Sequence, residues 1–275
     1  MATSQPQIKY MDTVEAYDKW AEVYDTDGNF LQALDTIEMR SLLPGFMARV
    51  VEERSTANAS SGSTGPLKLV DLGCGTGRNT LQLLASAPAD AELVGLDASR
   101  GMLDVARRAV GEKGININKQ RQSQSPNPTV TLETYDLLRS PRNPPLCARD
   151  AAGLISTLVI EHVPTDVFFA SASEILVPGG YLLLTNMHSD MGAISQAGFV
   201  DTATGTKIRP KSYSHTVADV VDAAGKAGFE VVDVDGQLVR ERGVDEGMVE
   251  VLGKRARKWV GVTVWFGVCF RKRRG

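Results

Sequence analysis

The feature that most constrains this chain is an apolar run that ends on a glycine-rich turn. Residues Leu67 to Leu72, broken only by Lys68 and Asp71, lead directly into Gly73-Cys-Gly-Thr-Gly77, and the helix-compatible Asn79-Thr-Leu-Gln-Leu-Leu84 follows. A buried strand, a glycine turn and a helix in that order form the opening unit of a nucleotide-binding α/β fold. Glycine supplies backbone angles that strain other residues and lets a ligand approach the main chain.

The same alternation recurs down the chain. Strands are expected at Glu92–Asp97, Thr129–Tyr135, Ala151–Val159 and Tyr181–Asn186, with late strands at Phe229–Val234 and Trp259–Phe270. Helices are expected at Phe30–Leu43, ending on Pro44-Gly45, at Thr80–Ala87, at Ser99–Val110, at Asp166–Leu176 and at Thr216–Gly228. Such alternation predicts a doubly wound α/β sheet. Residues 1–9 are expected to be mobile, 53–66 a loose connector, and 111–128 a polar surface insertion.

The turn and its sequels resemble the class I S-adenosylmethionine-dependent methyltransferases of the small-molecule type. The resemblance rests on Asp71-Leu-Gly-Cys-Gly-Thr-Gly77 and on Glu92-Leu-Val-Gly-Leu-Asp97, which ends 26 residues beyond Asp71. Ile155-Ser-Thr-Leu-Val-Ile-Glu-His162 and Leu176-Val-Pro-Gly-Gly-Tyr181 then follow in family order, so the likeness spans residues 10–186. It implies a seven-stranded, mostly parallel, Rossmann-like sheet with an antiparallel terminal strand. It also implies a helical cap over residues 1–45, a methyltransferase domain over 46–275, and a substrate-covering insertion at 187–215.

The resemblance carries site roles onto particular residues. Gly73, Cys74, Gly75 and Gly77 would form a backbone shelf beside S-adenosylmethionine, with Cys74 a compact loop member rather than a nucleophile. Asp97 would accept the ribose hydroxyl hydrogens, or else cap the next helix; Ala98 would neighbour the adenine. Asp136 and Leu137 would meet the adenine, Thr157 and Leu158 would lie beside the cofactor, and Asp71 would order the glycine loop. Val14, Tyr17, Ala21 and Tyr24 share a helical face, and Tyr17, Trp20 and Tyr24 are either a lid over the cofactor or a helix packed on the core.

Methyl transfer requires orientation and, for some acceptors, removal of a proton. His188 and His215 are the candidates for that work, with His162, Tyr213 and Glu161 as possible neighbours of the acceptor. The expected activity is transfer to an oxygen or nitrogen atom of a small molecule. Carbon methylation of an activated acceptor and a noncatalytic S-adenosylmethionine sensor are the alternatives.

Composition narrows the partners. Thirty basic against 33 acidic residues give a net charge of −3, without a nucleic-acid bias outside the terminal Arg271-Lys-Arg-Arg274. No run approaches the ~18 apolar residues of a membrane span. The first residues lack an apolar signal core, which points to the cytoplasm. Cys74, Cys147 and Cys269 have neither disulfide nor zinc spacing, so no metal is expected.

Overall fold

The protein is described from a computed structural model, which covers residues 8–61, 65–114, 116–117, 127–201 and 203–274, without the side chains of 57–61. Its elements in chain order are β1 (Ile8–Tyr10), α1 (Thr13–Trp20), α2 (Phe30–Ser61), β2 (Lys68–Leu72), α3 (Arg78–Ser86), β3 (Glu92–Asp97) and α4 (Arg100–Ala109). There follow β4 (Thr129–Thr134), β5 (Ala151–Thr157), α5 (Thr165–Ile175), β6 (Leu176–Met187), α6 (Ser189–Ile194), β7 (Phe199–Val200) and β8 (Lys207–Arg209). The chain closes with α7 (Val217–Lys226), β9 (Phe229–Val232), β10 (Val239–Gly243), α8 (Glu246–Leu252) and β11 (Thr263–Lys272).

The main sheet runs β4-β3-β2-β5-β6-β11, with β9 and β10 both paired to β11 along one edge. Strands β4 to β6 are mutually parallel, and β11 is antiparallel to β6. The sheet is therefore seven positions wide, the last filled by two short strands. Parallel strands are buried on both faces, and β6 shows it: Leu182 and Leu184 enter one core while Leu183 enters the other. The first core packs α2, α3 and α8 against Trp265; the second packs α5 and α7 around Phe168, Phe169 and Phe229.

Several helix starts follow from capping. The Ser99 side chain accepts from Met102 N at 3.1 Å to open α4, and Thr216 with Asp219 forms a reciprocal box at α7. Pro44, however, does not end α2. The helix continues because Phe46, Met47 and Val50 bury themselves against the sheet, which outweighs the one hydrogen bond a proline removes. Gly45 allows the helix to close on the loop after β9, where a Cβ would lie 1.9 Å from the Val234 carbonyl. The expected connector after Glu53 is thus helical to Ser61.

Other expectations shift as well. Ile8–Tyr10 is a strand, and Trp259 lies in a 3-10 turn before β11 rather than within it. In β6 the strand already begins at Leu176, with a register shift opposite Ala151 and Gly153. Most of the 111–128 insertion lies outside the described residues. The 187–215 segment contributes α6, β7 and β8, and the last two join β1 in a separate three-stranded sheet. No helix among the described residues is long and apolar enough to cross a membrane.

The basic end of the chain is tied down internally. Glu53 binds Arg271 at 2.8 Å and also Arg274, while Lys272 Nζ donates to the Ser173 and Leu176 carbonyls at 2.6 and 2.9 Å.

Candidate functional site

At the carboxyl end of β2 the backbone turns sharply, and Gly73, Gly75 and Gly77 have φ of 75°, 54° and 85°. The amides of Gly73 and Cys74 both donate to the Leu96 carbonyl, at 2.7 and 2.9 Å, which pins the turn to the end of β3. A Cβ on Gly73 would lie 2.2 Å from Val159 Cγ2, so this position has no room for a side chain. A Cβ on Gly75 would meet nothing within 4 Å, because this residue faces an open cleft.

Asp97 ends β3 beside that turn. Its Oδ2 accepts from Gly75 N and its Oδ1 from Ser99 N, each at 2.8 Å. Burial pushes its carboxyl up to about 6, against the pull of those two amides. The side chain thus orders the glycine loop and opens the next helix while presenting its remaining lone pairs to the cleft.

The cleft holds about 750 Å³ of space open to solvent. Asp97, Ala98, Asp136 and Leu137 line one part, and Gly73, Gly75, Thr157 and Leu158 another. Asp136 is held by amides of its own turn, accepting from Leu138 N at 2.9 Å. Leu158 has φ of 58°, a strained conformation for a branched residue, held by its N–H donating to the Thr185 carbonyl at 2.9 Å. Among the described residues, the lining contains no lysine or arginine.

A cover closes over this floor. Asp18 of α1 accepts from Ser99 Oγ at 2.6 Å and from Gly101 N at 2.9 Å, clamping the helix onto the start of α4. Trp20 stacks on Phe199 of β7 with centroids 5.0 Å apart, and Tyr17 packs against both Trp20 and Tyr24. The Tyr17 hydroxyl lies 2.8 Å from His162 Nε2, and His162 Nδ1 lies 2.8 Å from the Lys211 carbonyl. Since a carbonyl only accepts, Nδ1 carries a proton, and when the ring is neutral Nε2 takes the Tyr17 O–H. Burial alone would lower the His162 pKa, but Glu161, 3.4 Å from Nε2, outweighs it and the net shift is upward. Burial also raises the Tyr24 hydroxyl to about 12, so both tyrosines stay neutral donors.

A second cleft, of about 740 Å³, adjoins the first, and Tyr17, Tyr24 and Leu158 line both. Trp20 belongs to this one, together with Phe30, Glu161, Met187, Lys207 and Trp259.

The remaining sequence candidates lie elsewhere. Asp71 sits behind the turn, where Thr80 Oγ1 donates to its Oδ2 at 2.6 Å, Oδ1 has no partner, and burial raises its carboxyl to about 7. Cys74 turns inward against Gly95, and burial raises its thiol. Gly77 caps α3. His188 caps α6 and lies 3.1 Å from Glu241, and His215 Nε2 lies 2.9 Å from the Val163 carbonyl and lines a groove beside α5 and α7; neither ring lines either cleft. The sequence placed His188 after a strand and His215 just before a helix, and in the structure both rings are engaged in hydrogen bonds away from the two clefts.

Sequence reasoning missed Asp35. Fully buried on α2, it accepts from Thr185 Oγ1 at 2.5 Å, Trp265 Nε1 at 3.0 Å and Arg78 Nη2 at 2.7 Å, joining α2, α3, β6 and β11 under the site. Asn79 extends this network to Thr157 Oγ1 at 2.7 Å. An aspartate five residues after Phe30, within a helical apolar run, was the available signal.

Comparison with known proteins fixes the family. Residues 69–180 match a methyltransferase domain model. An uncharacterized methyltransferase of Emericella nidulans is 55% identical over 269 residues, covering 95% of this chain and 91% of the relative. The chain is a class I S-adenosylmethionine-dependent methyltransferase. A ubiquinone biosynthesis O-methyltransferase of Dinoroseobacter shibae is 25% identical over 79% of this methyltransferase and 81% of its own length. A SAM-dependent methyltransferase structure from Methanosarcina mazei shares the fold, with a TM-score of 0.53 at 14% identity over 78% of this chain and 95% of that one.

The first cleft suits the methyl donor of this family on its own chemistry. Gly75 leaves open the space that a side chain would take, the acidic groups Asp97 and Asp136 can accept from hydroxyl and amino groups, and no cation awaits a phosphate.

Proposed function

We propose that this methyltransferase transfers the methyl group of S-adenosylmethionine to an oxygen or nitrogen atom of a small molecule. The observation that carries the reading is the pair of adjoining clefts beneath one cover, with Tyr17, Tyr24 and Leu158 common to both. The acidic first cleft suits the donor, and the second suits the acceptor. The similarity to an O-methyltransferase supports the choice of atom.

In this reading Asp97 holds the ribose hydroxyls, Ala98, Asp136 and Leu137 surround the adenine, and Gly73 and Gly75 form the backbone shelf. Thr157 and Leu158 border the donor. Asp71 acts from behind the loop, and Tyr17 and Tyr24 exclude water. Exclusion of water and alignment of two reactants supply much of the rate in a displacement of this kind. The test is a mass-resolved search of cellular small molecules for one that gains a single methyl group when enzyme and S-adenosylmethionine are added. Fragmentation of the product reads the atom; methyl groups found only on carbon, or on macromolecules, would overturn the reading.

A further inference from the structure

The second cleft contains polar groups that the reading above does not use. Glu161 is 4% exposed, yet its Oε2 has no hydrogen-bond partner. A buried carboxylate oxygen left unpaired is costly, and this one belongs to a side chain lining the cleft beside His162 and Tyr17. The apolar part of the lining includes Phe30 stacked on Trp259, with centroids 6.0 Å apart, and Met187.

Three cations line the same space: Lys207 from β8, and Arg255 and Lys258 from the turn before β11. Arg255 is engaged with the Asp27 carbonyl, whereas Lys258 lies over the Trp259 ring at 4.9 Å. Burial lowers the Lys207 pKa, and repulsion from Arg209, Lys258 and Arg255 lowers it further. Like charges gathered in a cleft attract an anion and disfavour a cationic acceptor.

We infer that the second cleft binds a hydroxylated organic anion, with its carboxylate or phosphate at Lys207 and Lys258 and its hydroxyl at Glu161. This rests on the small-molecule reading above and narrows it to one substrate class. The acceptor hydroxyl gives its proton to Glu161 Oε2. The oxygen's electron pair forms the new bond to the methyl carbon as the carbon–sulfur bond breaks, leaving a neutral thioether and a methyl ether. Glu161 returns its proton to solvent after product leaves.

The test incubates the full chain with methyl-labelled S-adenosylmethionine and the low-molecular-mass fraction of a cell extract, then sorts labelled product on an anion exchanger at pH 8. An anionic product is expected, and alkaline phosphatase distinguishes a phosphate from a carboxylate. A neutral or cationic product overturns this proposal while leaving the small-molecule reading intact. No transfer, despite calorimetric binding of S-adenosylmethionine, overturns both.

With the acceptor in hand, changing Lys207→Gln and Lys258→Gln together should raise its KM by about tenfold or more and leave kcat nearly unchanged. Glu161→Gln should lower kcat by about 100-fold, with cofactor affinity retained as the check on folding. An unchanged KM in the first variant, or an unchanged kcat in the second, would reject the corresponding contact and with it the assigned pose.

Discussion

The floor of the site and its cover are built on different principles. The floor is backbone: the turn at Gly73 and Gly75 hangs from the Leu96 carbonyl, and Asp97 ties the Gly75 amide of that turn to the Ser99 amide at the start of α4. It rests on two continuous cores and on the buried Asp35 network. The cover is side chains, namely the Asp18 clamp, the Trp20–Phe199 stack and the Tyr17–His162 bond, around a small core of its own. A structure held by many covalently continuous hydrogen bonds opens only with the whole domain, whereas one held by a few side-chain contacts can open alone. On this basis the floor is expected to be rigid and the cover able to open separately.

That contrast can be broken or sharpened experimentally. The largest effect should come from Asp35→Ala, which strands Arg78 and removes acceptors from Thr185 and Trp265. A loss of about 3–5 kcal/mol in chemical unfolding is expected; a loss below about 1 kcal/mol, within the range of an ordinary surface change, would separate the floor from its supposed support.

Asp97→Ala should weaken S-adenosylmethionine binding by about 100-fold in calorimetry, as two charge-assisted hydrogen bonds are lost. Since burial raises this carboxyl to about 6, affinity for wild type should fall as pH drops below that value, because hydroxyl donors favour the ionised form. The sign reverses for folding of the free protein: a folded pKa above the unfolded one makes this group's contribution decline as pH rises from about 4 to 6. A flat affinity profile between pH 5 and 7 would remove Asp97 from the contact.

Two glycines test backbone against space. Gly73→Ala meets Val159 and should cost about 2 kcal/mol of stability, read from Tm. Gly75→Ala should cost less stability, about 1 kcal/mol from its positive φ, while lowering cofactor affinity. Equal losses in both variants would erase the distinction. The smallest effect belongs to the cover: Asp18→Ala should speed amide exchange across α1 by about tenfold while leaving β2 and β3 protected. Faster exchange in the strands too would mean that floor and cover open together.

The floor was legible in the sequence because its backbone demands particular residues. No other side chain fits at Gly73, and an acid at the end of β3 stands out after an apolar strand; Asp97, Asp136 and Leu137 fell where the order of elements put them. The second cleft was not legible in the same way, although Tyr17, Trp20 and Tyr24 of the cover and Glu161 stood among the sequence candidates. Phe30, Glu161, Met187, Lys207 and Trp259 come from widely separated segments, and each is locally ordinary. Pro44 misled because a local stop signal was set against burial of Phe46 and Val50, which only the packed sheet reveals. The positions of His188 and His215 were not legible because a histidine after a strand or before a helix serves caps and carbonyls as readily as chemistry.

Strand β1 pairs residues 8–10 with 207–209. During synthesis, the ribosome delivers five parallel strands of the central sheet before the partner of β1 has been made. Residues 8–10 therefore wait for nearly two hundred residues before their strand partner exists, whereas Asp18 of α1 can clamp Ser99 and Gly101 as soon as α4 has been made.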